Sequence, residues 1–129
     1  LPHWGQWLAL ADRILFEGDE IGKRMEVVGQ EGISTRDMVL FLKSELYDIC
    51  YLQQNAFDKE DSYCPLERQF EIFSLIALIF KKEFHFTSQD EARSFFLVLQ
   101  NDVKNLNYLP FRSAAYNDLK EDIEKSLEI

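Results

Sequence analysis

One helical stripe opens the chain and sets the terms for everything after it. Trp4, Leu8, Ala11, Leu15, Gly18, Gly22 and Met25 follow one another at alternating spacings of four and three. On a 3.6-residue period these positions share one face, so the spacing predicts a helix over 3–28. Each glycine weakens a helix by about 1 kcal/mol relative to alanine, so the pair marks either close packing or a break. Gly29 and Gly32 then end the segment. Ser34 or Thr35 can cap a second helix over 35–52, with Asp37 three residues after Ser34, close to a capping box. Met38, Phe41, Leu42, Leu46, Ile49 and Leu52 supply its apolar positions.

The pattern stops in a polar stretch, 53–64, and resumes at Pro65, a residue suited to a first helical turn. Leu66, Phe70, Phe73, Ile76, Ala77, Phe80 and Phe84 continue a helix over 65–84. Its run Ile72–Phe80 is apolar on nearly every side, broken only by Ser74, which predicts the central, most buried helix. Thr87-Ser88 with Glu91 caps a helix over 88–106, and Pro110 breaks the chain before an acidic helix over 112–128. That last helix carries Ala115, Leu119, Ile123 and Leu127. No alternating strand pattern with turn dipeptides survives. The expectation is an all-α bundle of about five helices, one helical domain over 1–129.

Charge and cysteine usage narrow the function classes. The chain carries 23 Asp and Glu against 14 Lys and Arg, a net charge of −9. Such a surface repels phosphate backbones, so no nucleic-acid partner is expected. Cys50 and Cys64 are too few for a disulfide scaffold and fit a reduced, cytoplasmic compartment. The nine residues Ile72–Phe80 are too short to cross a hydrocarbon layer of ~30 Å, so no direct membrane insertion is expected. Leu1 in place of an initiator Met leads to the expectation of an excised piece or a processed product.

No compact chemical motif stands out. Gly18–Arg24 looks like a damaged phosphate loop, but three residues separate the glycines where four are needed. Asp19 and Glu20 would repel phosphate, and no strand precedes them. His3, His85, Cys50 and Cys64 lack zinc spacing, and Asp58, Glu60 and Asp61 lack the glycine and terminal glutamate of a calcium loop, so no metal site is expected. No serine sits in a nucleophile elbow, and no catalytic residue is assigned. Phe57 and Tyr63 fall off the helical stripes, in the polar stretch beside Gln53, Gln54 and Asn55. Such rings either plug the gap between helices or stack on a planar ligand whose edge the amides bind.

The run Leu52–Asp58 (LQQNAFD), followed by Tyr63-Cys64, resembles a segment near the C-terminus of the catalytic A subunit of archaeal and vacuolar-type rotary ATPases. Glu26–Gly29, a short loop and then Ser34–Asp37 resemble the helix–loop–helix that precedes it in that family. Asn107–Pro110 and the acidic helix to Leu127 are similar to the family's chain end. The resemblance implies the C-terminal helical bundle of a catalytic chain whose β-barrel and phosphate-loop domains lie upstream. It implies that Phe57 and Tyr63, with neighbours Gln54, Asn55 and Ala56, border the adenine pocket. It implies a rotor contact at Glu31, Ser34, Thr35, Arg36 and Asp37. Related F-type enzymes have a strongly acidic loop there, whereas Arg36 intervenes here. ATP or ADP with Mg is implied as the full catalytic chain's ligand, with none expected for the isolated domain, which should not hydrolyse ATP. The implied partners are the remainder of the catalytic chain, neighbouring B subunits and the rotor of the central stalk. Their setting is the soluble, cytoplasmic head of a membrane-bound complex that couples ATP turnover to ion or proton transport. The alternative is a stand-alone helical protein-interaction module that docks through the aromatics of 57–63 and the acidic last helix, without nucleotide.

Overall fold

A computed structural model describes residues 4–53 and 65–128. Helix α1 spans Trp4–Val28, α2 Thr35–Tyr47, α3 Pro65–Lys81, α4 Gln89–Tyr108 and α5 Ala114–Leu127. A 3-10 turn, Gln30–Gly32, joins α1 to α2, and a π-helical turn, Asp48–Gln53, extends α2. No strand occurs among the described residues, so the all-α expectation of about five helices holds.

The helices start where side chains can satisfy their first amides. The Ser34 hydroxyl accepts from the Asp37 amide at 3.0 Å, Ser88 from Glu91 at 3.1 Å and Ser113 from Tyr116 at 3.2 Å. α1 and α2 form an antiparallel hairpin, α2 also packs on α4, and α4 carries α5. The glycine ambiguity of α1 resolves as close packing, with the helix unbroken. A Cβ on Gly18 would land on the Ser44 side chain, and one on Gly22 would come within 3.2 Å of the Phe41 ring.

The stripes are real but their centres are shifted. α1 buries Ala11, Ile14, Gly18 and Ile21, while Leu8 faces solvent. In α2 Met38, Val39, Lys43, Ser44, Leu46 and Tyr47 are buried, while Phe41 and Leu42 are only half-buried, and Cys50 follows as the buried residue of the π turn. The extra residue of the π turn rotates the register beyond it, and Leu52 is exposed. α3 is the core helix, with Ile72, Phe73, Leu75, Ile76, Ala77, Ile79 and Phe80 buried, though Leu66 and Leu78 are exposed. It stops at Lys81, and Phe84 lies in the non-helical segment 82–88. There its ring packs on Phe86, Phe95 and Phe96, so the stripe continues in space but not as a helix. In α5, Tyr116 takes the buried place that the stripe gave to Ala115.

Candidate functional site

The tip of the α1–α2 hairpin carries Glu31, Ser34, Thr35, Arg36 and Asp37, and the structure brings all of them together. Gly29 permits the reversal with φ 77° and ψ 168°, a region essentially closed to other residues. Its amide donates back to the Met25 carbonyl at 2.8 Å and closes α1. Ile33 is buried with Ile21 and Met38, a small apolar plug under the turn.

Ties on two sides hold the tip. On one, Arg24 of α1 reaches Asp37 of α2 at 2.6 Å. On the other, the Gln89 amide at the start of α4 donates to the carbonyls of Gln30, at 3.0 Å, and Ile33. The outer surface stays open: Glu31, Ser34 and Arg36 are exposed. Val27 and Val28, 84% and 53% exposed, add an apolar edge. Neither Arg24 nor Gln89 stands out in the sequence as part of this loop. Gln89 is 59 residues from Gln30, and a contact at that separation leaves no local signal.

Beside the tip an open groove of about 840 Å³ runs between α1, the start of α2 and the segment after α3. Lys43 forms part of its wall. Only 8% exposed, its ammonium donates to the carbonyls of Phe80, at 3.0 Å, and Lys82, at 2.8 Å. It thereby satisfies the C-terminal end of α3, where carbonyls lack helical partners. Burial lowers its pKa to about 8, against the opposing pull of Glu83. The folded chain therefore holds this proton less tightly than the unfolded one, so stability rises as pH climbs from about 8 toward 10.5. Between roughly pH 7 and roughly pH 10 the wild type is expected to gain about 2 kcal/mol relative to Lys43→Met. Urea unfolding of both proteins across that range checks the difference, and parallel pH curves would contradict it.

The remaining sequence expectations fall in three places. Gln54, Asn55, Ala56, Phe57 and Tyr63 lie outside the described residues, as do Asp58, Glu60, Asp61 and Cys64. Their described flanks stand on an aromatic cluster. Tyr51 meets Phe73 at 5.0 Å, Trp4 meets Phe73 at 4.8 Å and Trp7 meets Phe70 at 5.6 Å. Residues 18–24 are regular α1 helix, with Lys23 paired to Asp19 at 3.1 Å. Cys50 is buried and its thiol is pushed up to about 12, which keeps it protonated and inert as a nucleophile. Among the described residues no three His, Cys, Asp or Glu side chains converge as a metal site. No helix there is long and apolar enough to cross a membrane.

An antiparallel helix pair with a tip tied on two sides, set on a helical bundle, defines an all-α helical domain. The chain belongs to the family described as the C-terminal domain of V- and A-type ATP synthases, whose model matches residues 2–96. It is 58% identical over 125 residues to the V-type ATP synthase alpha chain of Chlamydia pneumoniae, a match covering 97% of this chain and 21% of that one. The corresponding alpha chain of Chlamydia trachomatis serovar L2 is 59% identical over 128 residues, covering 99% of this chain and 22% of the relative. That of Protochlamydia amoebophila is 55% identical over 125 residues, covering 97% and 21%. The chain thus spans about a fifth of the length of these relatives.

Proposed function

We propose that this domain serves an ATP-binding rotary motor in two ways: it borders the adenine side of the nucleotide site, and it carries the state of that site to the central rotor. The observation that carries the reading is the two-sided bracing of the hairpin tip by Arg24–Asp37 and by Gln89. A tip that transmits force must not fold away under load. Here the glycine-tight α1–α2 contact and the two ties link the tip to both α1 and α4. The exposed valines and charges at the tip supply the contact surface. Phosphate and Mg binding, with the chemistry of hydrolysis, belong to the upstream part of the catalytic chain, and ion transport to the rest of the complex. The neighbours are that upstream part, adjacent B subunits and the stalk rotor, in the soluble head of a membrane-bound assembly.

On the adenine side, Phe57 and Tyr63 provide the rings and Gln54, Asn55 and Ala56 their surroundings. Ring stacking adds ~0.5–1.5 kcal/mol beyond buried area, so Phe57→Ala with Tyr63→Ala in the complete catalytic chain is expected to weaken ATP binding about tenfold. Isothermal titration with ATP checks this, and an unchanged affinity would remove the adenine assignment. The rotor role is tested by the number of ions moved per ATP in complexes whose tip ties have been cut.

A further inference from the structure

The groove beside the tip has a charge opposite to that of the domain. The chain is acidic overall, with net charge −9. Yet Arg13, Arg36, Lys43, Lys81 and Lys82 line this groove against only Glu17, Asp37 and Glu83. Two of the three acids already have partners. Asp37 is held by Arg24 at 2.6 Å, and Glu17 lies 4.0 Å from Arg13. Lys43 is committed to backbone carbonyls.

Arg36, Lys81 and Lys82 make no ion pair with any described carboxylate. Arg36 and Lys81 are exposed, the Lys81 ammonium lying over the Trp7 ring at 5.8 Å from its centroid, and Lys82 is half-buried with its ammonium over the Phe84 ring at 5.6 Å. Between these cations the floor is apolar, with Leu10, Leu40 and Phe84 half-buried. A groove with a greasy floor and available cations on its rims fits a segment with an apolar face and flanking carboxylates. A nucleic acid fits poorly, because the rest of the −9 surface would repel it.

We infer that this groove docks an acidic amphipathic helix of the rotor stalk, seated between Arg36 on one rim and Lys81 and Lys82 on the other. The choice of the stalk as the source rests on the rotor reading above, because Thr35, Arg36 and Asp37 belong to both the tip and the groove. A strongly acidic loop would require a basic stalk partner. Arg36 and the lysines after α3 reverse that requirement on this face.

The test uses the full-length catalytic chain with a labelled helical peptide, glutamates on one face and leucines on the other, followed by fluorescence anisotropy. A lysine/leucine peptide of the same pattern is the control. The glutamate peptide is expected to bind more tightly than the control, and more weakly as salt rises. Arg36→Glu with Lys82→Glu is expected to weaken it at least about tenfold while the circular dichroism spectrum is unchanged. Equal binding of the two peptides, or indifference to the double substitution, would overturn the groove. Displacement of the peptide by millimolar inorganic phosphate would overturn it in favour of a small-anion site.

ATP-driven ion pumping by the assembled complex with the same double substitution separates this inference from the reading beneath it. Loss of both peptide binding and pumping supports the stalk as occupant. Loss of peptide binding with normal pumping removes the stalk as occupant and overturns the inference, while the tip's role stands or falls on its own ties.

Discussion

Phe73→Ala is expected to cost about 3–5 kcal/mol of stability, the largest effect of any single substitution considered. Phe73 is 0% exposed and sits at the centre of a ring cluster. Trp4 lies 4.8 Å away, Tyr51 5.0 Å, Tyr47 5.9 Å and Trp7 6.1 Å between centroids. Those rings come from the start of α1, the end of α2 and its π turn. Truncation leaves a cavity that three elements cannot close at once, so both the transfer and the cavity costs apply. Phe73→Leu keeps most of the volume and is expected to cost less than half as much. Urea unfolding gives both values. A loss below about 1 kcal/mol for Phe73→Ala would mean that the cluster is not the keystone described.

Gly18→Val is expected to cost about 3 kcal/mol, and the sign for Gly18→Ala decides between two physical effects. Helix propensity alone predicts that alanine stabilises α1 by about 1 kcal/mol. The contact predicts the reverse, because a Cβ there collides with both the Cβ and the Oγ of Ser44. The Ser44 Cβ cannot rotate away, so the helices must separate, which typically costs about 1–3 kcal/mol. Valine adds two methyls and a stiff rotamer to the same collision. Ser44→Gly in the Gly18→Ala background is expected to recover most of the loss. A stabilised Gly18→Ala protein would show that α1 and α2 are not in tight contact at this level.

Much of the architecture can be read from the chain because helical periodicity and capping are local. Ser34 and Ser88 announce their helices, each with its acidic residue three positions on. The exact buried face is harder to read. Stripes drawn through every apolar residue include Leu8, Leu52 and Leu66, which tertiary packing leaves exposed. The π turn at Asp48–Gln53 has no sequence mark, yet it sets which of Cys50 and Leu52 faces inward. Charged residues read as solvent-facing by default, which hides Lys43, whose partners are backbone carbonyls 37 and 39 residues away. The groove is hidden for the same reason, since its cations come from three separated stretches and meet only in the fold. The tip loop is recognisable by its likeness to a family, but its bracing by Gln89 is not.

If the braced hairpin tip transmits the state of the nucleotide site to the rotor, cutting its braces must loosen the coupling. The direct measurement is the number of ions pumped per ATP hydrolysed by the complete complex carrying Arg24→Ala and Gln89→Ala. These substitutions cut the ties of the tip to α1 and α4 and leave the 54–64 stretch untouched. A fall of at least about twofold in ions per ATP, with ATP affinity unchanged, is the expected result. A wild-type ratio in that complex would contradict it, and the hairpin would then be structural support rather than a transmission element.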